Sequence, residues 1–132
     1  MNIKHCALAT LILTFSIGAS AAEWEKIGTT SDSKISINTA KIYSNKSNPK
    51  QKYVWSKIDV LKSHENFGIN LSKGSSSKVL NMYDCQNYRY KQMKVVVYNP
   101  AGASIKSIET PLDWSEIIPG SPGDRIFEKV CQ

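Results

Sequence analysis

Histidine is almost missing from this chain: it has 2 in 132 residues, His5 and His64. His5 precedes the N-terminal apolar stretch, which leaves His64 alone, so zinc sites built on a histidine pair and Cys-His sites are excluded on ligand count. His64 stands in the polar run Lys62-Ser-His-Glu-Asn66 and reads as a solvated side chain. No Gly-x-Ser-x-Gly elbow, phosphate-binding loop or dinucleotide fingerprint occurs. Two Ser-x-x-Lys tetrads, Ser31 to Lys34 and Ser75 to Lys78, lack the Ser-Asp-Asn and Lys-Thr-Gly elements that acylating enzymes need beside them. The residues therefore assign no catalytic, cofactor-binding or metal-binding role, and the chain reads as a non-enzyme without a cofactor. A continuous apolar run of about 18 residues is also missing, which argues against an integral membrane span. At 41% hydrophobic and 21% charged residues, the composition is that of one ordinary globular domain.

The N-terminus supplies an address. Lys4, the apolar stretch Ala7 to Ile17 and the small residues Gly18-Ala19-Ser20-Ala21-Ala22 have the order of a secretory signal. Residues 1–21 are expected to be removed, leaving a single domain over 22–132 in the periplasm or at the outer cell surface. Lys4 is the only charge lost, so the net charge falls from +6 to +5. Cys6 leaves as well, and the remaining Cys85 and Cys131 are expected to pair in an oxidising compartment. That bond would close a loop of about 47 residues and contribute roughly 4 kcal/mol by chain entropy. No cysteine follows the cleavage point, so a lipid anchor is not indicated.

Period-two patterns dominate what remains. Trp24 to Ile27, the stretch around Ile35 and Ile37, Lys52 to Leu61, Lys78 to Cys85, Tyr88 to Tyr98 and Ser104 to Thr110 read as strands. Ser44 to Gln51 reads as a polar separator, Gly74 to Ser77 as a flexible connector and Pro111 to Gly120 as an irregular crossing. Ser121 and Pro122 suit an N-cap and a first helical position, after which Ile126, Phe127, Val130 and Cys131 share one helical side. The expected fold is α+β: a mainly antiparallel sheet of about five to six strands with a short C-terminal helix pinned by the disulfide. In Lys52 to Leu61, Val54, Ile58 and Val60 face one way while Tyr53, Trp55 and Leu61 face the other. The second face is thus a candidate contact surface centred on Trp55.

Basic residues flank the serine-rich connector at Lys73 and Lys78 and gather more densely in two further places. Lys46, Lys50 and Lys52 surround the polar separator, and Arg89, Lys91 and Lys94 lie on one strand beside Tyr88 and Tyr90. Together with Trp55 they are the candidate ligand-binding residues, suited to an acidic partner. An exported protein does not meet nucleic acid, so that partner class is set aside.

Trp24-Glu-Lys-Ile27, Ile35-Ser-Ile-Asn38, Val54-Trp55-Ser-Lys57, Tyr83-Asp84-Cys85, Trp114-Ser-Glu-Ile-Ile-Pro-Gly-Ser121 and Val130-Cys131 follow one another across nearly the whole mature chain. In that order they resemble the surface-adhesin protein E family of Gram-negative bacteria. The resemblance implies a small antiparallel sheet with a C-terminal helix and a structural disulfide. It also implies a non-enzymatic adhesin that engages laminin, vitronectin and plasminogen, as a homodimer in some settings. Asn38 departs from the aspartate usual there. The rival expectation is a periplasmic inhibitor or immunity protein directed at a toxin or envelope enzyme.

Overall fold

The computed structural model describes residues 23–132, so the expected signal segment 1–21 lies outside the described residues. Alternating short apolar and polar residues produce ten strands: β1 (Trp24–Thr29), β2 (Ser33–Asn38), β3 (Tyr43–Asn45), β4 (Asn48–Val60), β5 (His64–Asn66), β6 (Ile69–Leu71), β7 (Ser76–Asp84), β8 (Arg89–Tyr98), β9 (Ser104–Ile108) and β10 (Ser115–Glu116). A 3-10 turn, Thr39–Lys41, follows β2, and the helix α1 (Pro122–Val130) ends the chain. Eight of the strands form one antiparallel sheet in the order β1-β2-β4-β7-β8-β10, with β3 also on β4 and β9 also on β8. Since β7 occupies the other edge of β4, β2 and β3 share one side of it, and β9 and β10 likewise share one side of β8. The sheet is therefore six strands wide, as expected for the longer runs.

Burial of the alternate residues sets the covered face. Ile37, Val54 and Tyr83 of this face join Ile117, Ile126 and Val130 in one cluster beneath α1. Val60, Val79, Val95 and Val97 form a second cluster with Leu71, against which Phe67 and Ile69 pack. Helix α1 thus covers one end of the sheet and the β5–β6 hairpin covers the other. The Ser121 hydroxyl accepts a hydrogen bond from the Asp124 N–H at 3.2 Å, which satisfies a donor at the helix start. Cys85, just after β7, is bonded to Cys131 at the helix end. The tip of the β7–β8 hairpin is also tied to α1 by the Tyr88 hydroxyl, which donates to Asp124, and by edge contact of the Tyr88 and Phe127 rings at 4.7 Å. That hydrogen bond pushes the Tyr88 phenol up to about 12 and holds the Asp124 carboxyl below its usual range.

Two local expectations are corrected, and a hairpin is found where the sequence predicted no element. The polar separator is a hairpin, in which β3 pairs with the start of β4 and Asn45 caps the turn by accepting from the Ser47 N–H. Pro49 is tolerated because β7 pairing begins only at Gln51, which leaves this part of β4 as an edge. The serine-rich connector is packed into the sheet rather than flexible. Ser75 and Ser77 are buried, Ser77 at 0% exposure, and Ser76 and Ser77 already belong to β7. Finally, His64 to Leu71 folds as a hairpin whose turn residues Phe67 and Gly68 both have positive φ, 53° and 72°. A primed turn of this kind matches the strand twist, and Phe67 is held there by its packing on the second cluster.

Candidate functional site

The face opposite α1 carries Lys34, Lys57, Lys78, Arg89, Lys91 and Lys94. Pairing sets Lys34 opposite Asp59, Lys57 opposite Lys78, Trp55 opposite Leu80, Met82 opposite Lys91 and Asp84 opposite Arg89. Two lysines directly opposite each other repel and weaken a sheet. Here each ammonium is drawn to a ring instead: Lys57 Nζ lies 6.0 Å from the Trp24 centroid and Lys78 Nζ 5.4 Å from that of Tyr98. Lys57 and Lys34 also reach Asp59, at 3.5 and 3.7 Å. These pairs are half-exposed, so they orient side chains more than they stabilise the fold.

Farther along the same face, Trp114 returns from the crossing segment to lie under two cations. The Arg89 guanidinium sits 4.4 Å and Lys91 Nζ 5.7 Å from its ring centroid. The β10 pairing of Ser115 with Tyr90 puts it there. Arg89 also donates through Nε to Asp84 Oδ2 at 3.0 Å, and Lys94 pairs with Glu109 at 3.0 Å. Asp84 is only 2% exposed. Burial acts to raise its carboxyl, but hydrogen bonds from the Asn87 side chain, Arg89 and the backbone of Asn87 and Gln86 outweigh burial and hold it below the usual carboxylate range.

Between these features a groove of about 350 Å³ crosses the open face, lined by Trp24, Asn38, Lys41, Trp55, Lys78 and Tyr98. It contains no carboxylate. Asn38 is 6% exposed, and its Oδ1 has no hydrogen-bond partner among the described residues. The covered face has a cleft of similar size, about 340 Å³, between Phe67 and the Ile117–Ile118 segment. Its lining is mainly apolar, with Glu116 its one charged residue, so the cationic chemistry belongs to the open face.

Of the residues singled out from sequence, Trp55, Arg89, Lys91 and Lys94 share this face. Lys46 lies in the β3–β4 turn and Lys50 at the exposed start of β4, while Lys52, opposite Tyr83, points to the helix side. Trp24, Asn38, Lys41, Lys57, Lys78, Tyr98 and Trp114 were not among the candidates. Their shared face follows from strand register, which local sequence does not state; only the period-two position of Lys57 relative to Trp55 was available as a signal.

The profile of the family described as surface-adhesin protein E matches residues 24–132. No curated protein matches the chain. Two solved structures of Haemophilus influenzae protein E share its fold. Crystal form II has a TM-score of 0.55 and 12% identity over 80% of this chain and 91% of that chain. The other has a TM-score of 0.55 and 13% identity over 82% of this chain and 92% of that chain.

Proposed function

The chain belongs to the surface-adhesin protein E family, and from that membership we propose that it is an exported, non-enzymatic adhesin whose open sheet face docks on acidic stretches of host matrix or serum proteins. The mature protein is the single domain 22–132, and laminin, vitronectin and plasminogen are the partners to test first. The observation that carries this reading is the Lys57–Lys78 juxtaposition among half-buried aromatic side chains. A face kept only for solubility has no need of like charges directly opposed at a cost in stability. A face that meets an acidic partner gains from them, because complementary potential speeds encounter and selects the partner.

The test leaves Arg89 in place, since it holds the buried Asp84, and reverses Lys91 and Lys94. K91E/K94E should bind immobilised laminin or vitronectin about tenfold more weakly than the wild type, with a shallower salt dependence. Equal affinity at 50 and 150 mM salt in both proteins removes the basic face from the reading.

Placement is tested separately by adding protease to intact cells. Digestion there, with a periplasmic control protected, supports surface display; among the described residues, no helix is long and apolar enough to cross a membrane. Protection until the outer membrane is permeabilised refutes the adhesin reading and favours a periplasmic inhibitor or immunity protein.

A further inference from the structure

We propose that the groove across the open face is a subsite for an acidic saccharide, an extended chain of pyranose units bearing carboxylates. The inference deepens the proposed function and rests on its identification of the open face as the binding face. Three independent features of the lining meet in this one ligand class.

The first is the rings. Trp24, Trp55 and Tyr98 line the groove, half-buried, so each keeps part of its surface open. The C–H bonds of a pyranose carry slight positive charge on an apolar face, and the negative face of an aromatic ring attracts them. The second is the charge. Neither Lys41 nor Lys78 has a carboxylate partner among the described residues, and no acid lines the groove. Lys78 is held only by the Tyr98 ring at 5.4 Å. A ligand carboxylate would give it a charge-assisted bond that the protein does not supply. The third is Asn38. Its carbonyl oxygen is buried and has no partner among the described residues, an unfavourable state in a folded protein. Asn38 lines the groove, and a small rotation of its side chain would let a sugar hydroxyl donate to that oxygen.

The dimensions select a chain over a single sugar. The lining runs from β1 to β8, four strand spacings or about 19 Å. An extended acidic peptide has the charge and length too, but it satisfies its backbone at a sheet edge, and the interior of a sheet face offers no free backbone groups to pair with it. Hydroxyl-rich, flat-faced units suit rings and one amide acceptor better.

The experiment uses the mature wild-type protein and three tetramers: a hyaluronan tetrasaccharide, neutral chitotetraose and tetraglutamate. The indole N–H resonances of Trp24 and Trp55 report groove occupancy. Hyaluronan tetrasaccharide is expected to shift both, with at least tenfold tighter binding than either comparison ligand. K78Q should bring its affinity down to near that of chitotetraose, and N38L should weaken both saccharides several-fold. W55A, checked for native circular dichroism, should abolish both. Equal affinity for tetraglutamate, equal affinity for chitotetraose, or the absence of indole shifts each overturns the saccharide assignment. Laminin binding measured on the same K78Q and W55A proteins separates the two ideas. Protein binding without saccharide binding overturns the subsite and leaves the adhesin reading standing; saccharide binding that K91E/K94E retains while laminin binding is lost supports the subsite.

Discussion

Replacing Cys85 and Cys131 together by serine should lower the melting temperature by roughly 15–25 °C, the equivalent of about 4 kcal/mol for a domain of this size. The two cysteines lie 46 positions apart, so the reduced chain regains the entropy of a long loop when it unfolds. Helix α1 has only 9 residues, too few to be stable by itself. It stays in place by burying Ile126 and Val130 against Ile37, Val54 and Tyr83, by the Tyr88–Asp124 hydrogen bond in its first turn and by the Tyr88–Phe127 ring contact. The disulfide acts at the opposite end of the helix, where the last turn would otherwise fray. Calorimetry of the wild type with reductant should therefore give the same transition as the double variant without it. A loss below about 5 °C would mean that the packed face alone holds the helix, contrary to the entropic argument. The open face makes no use of α1, so the variant kept well below its transition should still bind whatever the wild type binds.

The long elements were legible because their side-chain period is strict. In β4, Val54, Ser56, Ile58 and Val60 alternate with Tyr53, Trp55, Lys57 and Asp59, and that alone assigned Trp55 to the face away from the helix. The Ser-Pro start of α1 was equally plain, because cap and first-turn chemistry is local. The β5–β6 hairpin was not legible. Its strands have three residues each, too short for a period to show, and its turn places a phenylalanine at positive φ that only tertiary packing sustains. The serine-rich stretch misled for a related reason. Small polar residues signal a loop by composition, yet in β7 Ser77 is completely buried because Ile58 stands opposite it and leaves room only for a small side chain.

The basic site depends on one register shift. Strict alternation along β8 would put Lys94 on one face with Gln92 and Tyr90, and Lys91 and Arg89 on the other. The bulge between Leu80 and Asn81 pairs Lys94 with Leu80 and Gln92 with Asn81, so Met93 has no direct partner on β7. Below the bulge the alternation is reversed, and Lys91 and Arg89 come to the same face as Lys94. Sequence placed these three cations near one another; only the bulge makes them one surface. Trp114 joins them through a two-residue strand, a pairing with no length of pattern to announce it.

Arg89 ends that surface and begins a polar cluster at the β7–β8 turn. Asp84 accepts from the Gln86 and Asn87 N–H groups, each at 3.2 Å, from the Asn87 amide at 2.8 Å and from Arg89 at 3.0 Å. D84A should cost about 3 kcal/mol at pH 7, because it leaves turn donors unsatisfied and the guanidinium without its counter-charge. D84N should cost less, since an amide oxygen still accepts from the turn. The pH dependence separates charge from shape. The folded-state carboxyl lies below its ordinary value, so the native state holds fewer protons than the unfolded chain where the two differ. Its stabilisation is then complete above the unfolded value, about 4, and is lost as pH falls through the lower folded value. Denaturation measured from pH 7 to pH 2 should show the wild type and D84N separated by a constant margin above about pH 5, with the margin shrinking below pH 4. Curves that stay parallel to pH 2 would show that Asp84 contributes by shape and hydrogen bonding alone. The same series tests the coupling to the open face: with the carboxylate neutral, Arg89 loses its anchor, and its contact with Trp114 should loosen over the same pH range as a change in Trp114 emission.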